Sequence, residues 1–191
     1  MAWEIFERME RAAAKVRERL LRVTAVLNQA GVPYAVVGGH AVASWVTTVD
    51  EGAVRNTRDI DLLVRRADLP AITDALERAG FVRTEVVDVK VFLDGPDARP
   101  SDSIHLLFAG EKVRAEHPLP APDLSTTLDP AGYRVITLEA LVRMKLLSNR
   151  DKDRTHVRDL VGVGLVDRSW LATLPPILAE RLQGILDTPD S

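Results

Sequence analysis

Two aspartates one residue apart, Asp59 and Asp61, stand in the run Asp-Ile-Asp-Leu-Leu-Val. On a β-strand their side chains point to the same side, because successive residues alternate between faces. Held that close, two carboxylates repel and raise each other's pKa. A divalent cation turns this cost into attraction. Hard oxygen donors favour magnesium, which takes one or two carboxylates and usually completes its shell with substrate phosphates. The pair therefore suits phosphoryl or nucleotidyl transfer, in which metal ions neutralise a triphosphate and activate an attacking hydroxyl. Asp-x-Asp alone is a weak signal, since alternating charge is common on solvated sheet faces. Its neighbours Ile60, Leu62, Leu63 and Val64 strengthen it: they make the strand read as buried, and buried acids need partners.

A second feature lies upstream. Gly38-Gly39 follows the apolar run Tyr34-Ala-Val-Val37 and precedes a stretch of helical character, His40 to Val46. Strand, glycines and helix start let backbone N–H groups approach phosphate oxygens. A plain tight turn would use the same glycines. Arg55 and Arg58 flank the acids and either bind phosphate or balance the acids' charge. Lys145, on a helix otherwise apolar at Leu141, Met144 and Leu147, is either a phosphate-binding cation or a snorkelling surface lysine. Lys152, Asp153 and Asp159 fit a salt-bridge set better than a catalytic one.

The elements that must position these groups follow from hydrophobic periodicity. Phe6, Met9, Ala13, Val16, Leu20, Val23 and Leu27 recur three and four apart, which predicts a long amphipathic helix. Its apolar face either packs on its own domain, the favoured expectation, or forms a seam with a partner. Gly31 and Pro33 end it. After the Asp-Ile-Asp strand comes a helix with Asp68 as its cap, Pro70 in its first turn and Gly80 at its end. Two strands are expected next: one carries Val87, Val89, Val91 and Leu93 on one face, and the other carries Ile104, Leu106 and Phe108. Residues 110–129 read as irregular or edge structure, and helices resume from Thr137. The expected class is α/β (α+β): an N-terminal helix over residues 1–32, a mixed-sheet core flanked by helices over 33–136, and a C-terminal helical region over 137–191.

The chain has 191 residues, a formal net charge of -3 and no cysteine. Disulfides and thiolate zinc sites are thereby excluded, and a cytoplasmic location is the expectation. The charge gives no global pull toward nucleic acid and DNA is not an expected partner. An RNA partner would need a local patch, for which Arg143, Lys145, Arg150, Lys152, Arg154 and Arg158 are available. Residues 23–49 lack Lys, Arg, Asp and Glu, but Asn28, Gln29, Gly31, Pro33 and Gly38 interrupt them, so no membrane span is expected.

Gly38-Gly39-His40-Ala41, followed by Thr57-Arg58-Asp59-Ile60-Asp61-Leu62, resembles the glycine pair and Asp-x-Asp signature of the DNA polymerase β-like nucleotidyltransferase superfamily. The Gly-Gly-x-Ala form and its long spacer most resemble the AbiEii/AbiGii toxin-like branch. The Lys145 helix, followed by Lys152-Asp153 and Asp159, is similar to that branch's C-terminal pattern. The resemblance runs from about Pro33 to about Leu165. It implies a mixed sheet flanked by helices, with Gly38 and Gly39 holding a nucleoside triphosphate, Asp59 and Asp61 binding Mg²⁺, and Lys145 near the phosphates. It also implies transfer of a nucleoside monophosphate to a hydroxyl on RNA or protein, and a setting in which the chain is a toxin with an antitoxin partner. The superfamily usually supplies a third carboxylate from a following strand, and here His105 takes that slot. A histidine there can ligate a metal, act as a base, or be an ordinary sheet residue. Asp102 points to the opposite face if the strand is regular. Loss of the acid leaves room for one-metal chemistry, or for a degenerate protein that binds a nucleotide or partner without turnover.

Overall fold

A computed structural model gives the structure of the chain and describes residues 2–55, 57–86, 89–99 and 102–188. Among these, seven strands form one mixed sheet in the order β3-β4-β5-β2-β1-β7-β6. In chain order the elements are α1 (Ala2–Gln29), β1 (Tyr34–Val37), α2 (Gly38–Thr47), β2 (Ile60–Val64), α3 (Leu69–Arg78), β3 (Val82–Val86) and β4 (Val89–Leu93). They continue with β5 (Ser103–Phe108), β6 (Thr126–Leu128), β7 (Arg134–Ile136), α4 (Leu138–Ser148), α5 (Asp151–Gly162) and α6 (Pro176–Asp187). The mixed α/β class expected from periodicity is the one observed.

β1 and β2 lie at the middle of the sheet and are buried on both faces, which explains their nearly unbroken apolar sequences. β1 pairs antiparallel with β2 and parallel with β7, while β2 pairs parallel with β5. α1 and α3 pack together on one face; α2, α4, α5 and α6 gather on the other. Arg19 of α1 marks the first face: its guanidinium meets Asp94 at 3.2 Å and Asp102 at 3.7 Å. Asp102 therefore points away from the face that carries His105, as the strand alternation requires.

Several local expectations change. Val16, Leu20, Val23 and Leu27 of α1 are buried, but Met9 is 58% exposed and Ala13 is exposed too, so the buried stripe among the described side chains belongs to the second half of the helix. Asp68 sits at the N-terminal cap of α3, yet its side chain accepts no capping bond from the helix. Gly80, at φ 84°, does close that helix. In place of one strand before β5 there is a hairpin, β3 and β4. Its first arm, Val-Arg-Thr-Glu-Val, alternates with polar residues and offers too weak an apolar signal to be read from sequence. Val87, assigned to the strand face, lies outside the described residues, as does the side chain of Phe6.

The helices of the second face are tied to the sheet and to each other by specific bonds. Trp45 Nε1 of α2 donates to the Ile136 carbonyl at 3.0 Å. Ser44 donates to the Asp129 carboxylate beside the β6–β7 hairpin. Arg181 of α6 donates to the carbonyls of Leu146 and Leu147, at 2.7 and 2.9 Å, at the end of α4. Asn149, at φ 50°, turns the chain from α4 into α5, so that the two helices converge over the sheet.

Candidate active site

The glycine pair is demanded by what stands next to it. β1 ends opposite Asp61, with Val37 and Asp61 in register, so the next residue passes directly over that carboxylate. Gly38 adopts φ 69°, and a Cβ there would overlap Asp61 Oδ2. A Cβ on Gly39 would lie 2.8 Å from Cβ of Thr57. Both positions thus need glycine for close approach, and Gly38 needs it also for its left-handed backbone. The result is a helix N-terminus, that of α2, set against the carboxylate of Asp61.

The register of the sheet builds a row on this face. Asp61 pairs with His105, His105 with Val91, and Val91 with Thr84. Directly paired residues project from one face, so these side chains run side by side across four strands. His105 Nδ1 lies 3.1 Å from Asp61 Oδ1, and its Nε2 lies 2.9 Å from Ser103 Oγ. Burial alone would raise the Asp61 carboxyl, but the hydrogen bond and charge of His105, with Lys145 and Lys152 adding to them, hold it below the ordinary value. The same hydrogen bond to Asp61 raises His105 above the ordinary histidine value, against its own burial. His40, in the first turn of α2, is lowered by burial in spite of Asp61 and Asp59, and its Nε2 has no partner.

Lys145 is neither a snorkelling nor a surface side chain. It is 6% exposed, and its Nζ lies 3.2 Å from Asp153 Oδ1, a carboxylate that is itself 1% exposed. Arg150 Nε donates to the other oxygen of Asp153 at 2.7 Å. Burial would raise the Asp153 carboxyl, but Arg150 and Lys145 bring it down to about 2. Burial lowers Lys145 against the pull of Asp153. Arg55 does not pair with Asp59 or Asp61. It grips Asp159 of α5 at 2.8 Å and fastens the connection before β2 to the helical region.

A cleft of about 1130 Å³ brings the candidate residues together: Gly38, Gly39, Arg58, Asp59, Asp61, His105 and Lys145 all line it. Asp59 precedes the first residue of β2 and shares this lining with Asp61. Sequence reading missed other residues of the lining. Thr57 sits beneath Gly39, and Ser103 holds His105; a period-two Ser-x-His was the available signal for the latter. His156 is pushed down to about 4 by burial, then by Lys145. Arg114 and His117 come from the irregular segment after β5, where no periodicity announces them.

The donors suit a magnesium ion whose shell is completed by a substrate. Two carboxylates supply hard oxygens, and Asp61 is held ionised. Among the described residues, no group of three or more His, Cys, Asp or Glu side chains forms a metal cage. None of their helices is long and apolar enough to cross a membrane.

A family model described as "Uncharacterised nucleotidyltransferase" matches residues 3–127. No curated protein matches the chain. Among solved structures, an antigenic nucleotidyltransferase-like protein from Paracoccidioides brasiliensis is 16% identical, with a TM-score of 0.55 over 93% of this chain and 88% of that one. ANT(2")-Ia in complex with adenylyl-2"-tobramycin is likewise 16% identical, with a TM-score of 0.54 over 91% of this chain and 98% of that one. At this identity the likeness is one of fold.

Proposed function

This chain belongs to that nucleotidyltransferase family, and from this premise we propose that its cleft moves a nucleoside monophosphate from a magnesium-bound triphosphate to an acceptor hydroxyl. The observation that carries the reading is the corner where Gly38, at the N-terminus of α2, lies against the carboxylate of Asp61. A glycine there opens backbone N–H groups to phosphate oxygens, and the helix dipole favours their charge. Asp59 and Asp61 would hold the ion, which neutralises the triphosphate and polarises the phosphorus under attack.

The rest is positioning by this chain's own groups. His105 fixes the orientation of Asp61 through Nδ1. Its Nε2, now bonded to Ser103, is the base that takes the acceptor proton once the acceptor hydroxyl replaces the serine. The acceptor oxygen then bonds to the α-phosphorus, the bond from that phosphorus to the bridging oxygen breaks, and pyrophosphate leaves. Arg58 and Lys152 stand on the lining as cations for the departing phosphates. Lys145, locked to Asp153, acts on the phosphates as a fixed charge in the cleft wall.

The acceptor we propose is a hydroxyl on RNA or protein. The likeness of the Gly38-Gly39 to Asp61 pattern to the AbiEii/AbiGii branch supports a toxin with an antitoxin partner, and the location that goes with this proposal is cytoplasmic. The adenylyl-2"-tobramycin held by ANT(2")-Ia offers a small-molecule acceptor as the other type to test. His105 in the third-acid slot also favours a second reading, a protein that binds nucleotide without transfer. Calorimetry with magnesium and each triphosphate, followed by pyrophosphate release with mixed acceptors, separates the two. Asp61→Asn should abolish release with the urea midpoint retained; a variant that still releases pyrophosphate rejects the site.

A further inference from the structure

Ser103, His105 and Asp61 are joined end to end. Ser103 Oγ lies 2.9 Å from His105 Nε2, and His105 Nδ1 lies 3.1 Å from Asp61 Oδ1. The direction of the bonds follows from what each group can donate. An ionised carboxylate only accepts, so the neutral imidazole carries its proton on Nδ1 and turns the Nε2 lone pair to the serine. Ser103 then donates its O–H to Nε2. A serine hydroxyl held against one ring nitrogen, while a carboxylate orients the other, is the arrangement that makes serine a nucleophile.

The placement of this hydroxyl is specific. Ser103 and His105 stand two apart on β5, so they share a face, and both line the cleft. Among the described residues the lining also carries the hydroxyls of Thr57, Thr84 and Ser148. Ser148 bonds to Asp153, and of the four it is Ser103 that meets an imidazole. Ser103 is 2% exposed, which closes it to the active site of another molecule. It can react only with what its own cleft holds.

Asp61 sets what that is. Its Oδ1 takes the bond from His105, while its Oδ2 is the atom that a Cβ on Gly38 would overlap. One carboxylate thus faces the glycine corner with one oxygen and the imidazole with the other. The lining cations Arg58, Lys145 and Lys152 suit the oxygens of a phosphorus electrophile.

We infer that Ser103 is a self-modification site: with no outside acceptor in place, its hydroxyl takes the nucleoside monophosphate from the bound triphosphate, and the modified serine then blocks the cleft. The inference rests on the transferase reading above and concerns the chain's own state, not the outside acceptor. His105 Nε2 takes the proton from Ser103 Oγ, and that oxygen bonds to the α-phosphorus. The bond from the phosphorus to the bridging oxygen breaks, and pyrophosphate leaves. The product is a phosphodiester on Ser103, standing where an outside hydroxyl would have to meet Nε2.

The test incubates the full chain with magnesium and each triphosphate in turn, labelled at the α- or the γ-phosphate, with no acceptor added. The α-label should stay on the denatured chain, one per molecule, on the fragment that contains Ser103, and the γ-label should not. Pyrophosphate release should stop at one equivalent. Ser103→Ala should carry no label; if that variant fails to bind the triphosphate in calorimetry, the labelled fragment of the parent chain decides alone. In a mixture with the parent chain, a tagged Asp61→Asn chain should stay unlabelled, because the transfer occurs within one molecule. Label on another residue, label on the Asp61→Asn chain, or continued release with water as acceptor overturns the inference. Label that moves from Ser103 to a later acceptor makes the serine an intermediate and overturns the block. A chain that binds triphosphate and stays unlabelled overturns the inference, and leaves the transferase site standing if the mixed acceptors are labelled; if they are not, both readings fall.

Discussion

The pair formed by Lys145 and Asp153 offers a measurement that separates scaffold from chemistry. Both side chains are nearly sealed from solvent, at 6% and 1% exposure, and their charged atoms are 3.2 Å apart. Removing one partner of a buried pair costs about 3–5 kcal/mol, because the other charge is left without compensation. Arg150 stays beside Asp153, so Lys145→Met should fall near the low end, about 3 kcal/mol. Asp153→Leu strands the lysine and should lie nearer about 5 kcal/mol. For a chain of this size about 3 kcal/mol corresponds to a Tm lower by roughly 6–12 °C. The double variant strands no buried charge, since Arg150 is 46% exposed, so its cost should fall below the sum of the singles by about 2 kcal/mol or more. Urea midpoints at constant m-value measure all three. Single variants within about 1 kcal/mol of the parent, or costs that simply add, would refute the account of a buried, mutually compensating pair.

Other perturbations test the site itself. Gly38→Ala should lower transfer at least about a hundredfold in kcat/KM, since the new methyl displaces Asp61 and the left-handed backbone adds about 1–2 kcal/mol of strain; parent-like kcat/KM would show that the corner is not the phosphate site. His105→Ala should lower kcat more than it raises the KM for the triphosphate, while Ser103→Ala should leave kcat within about threefold; a Ser103→Ala loss equal to that of His105→Ala would mean that the two act as one unit. Stability should fall as pH drops below 6.5, because the unfolded chain takes up a proton on His156 that the fold refuses until about pH 4. A further loss belongs to Asp153, whose contribution is complete above 3.8 and disappears toward about 2. Urea midpoints across pH 8 to 4 read the first and their extension to pH 2 reads the second, and His156→Gln should flatten the upper part of the curve; an unaltered slope would assign that limb elsewhere.

Much of this was legible in the chain itself. Asp59, Asp61 and the glycine pair declare themselves because strand alternation and backbone conformation are local properties, and locality is what sequence preserves. The helix over Leu69–Arg78 carries both Pro70 and Gly80 as punctuation and was equally plain. The fate of Lys145 was not legible. Whether an ammonium on an apolar helix face meets solvent or an acid depends on how α4 and α5 converge, a tertiary matter. Arg55 shows the same limit: beside the acids in sequence, it binds Asp159, more than a hundred residues away. Thr84 reached the cleft through a hairpin whose weakly alternating first arm gave no strand signal. Arg114 and His117 arrived on an irregular segment, where chain direction obeys no period.

The bonds from Arg181 give the C-terminal helix an influence beyond its own location. That guanidinium grips the last carbonyls of α4 at Leu146 and Leu147, and Leu147 forms part of the cleft wall. Helix α6, whose residues are not among those lining the cleft, thus acts as a clasp on its wall. Damage to it by proteolysis, or capture by another molecule, would reach the reaction mechanically, without contact with either substrate.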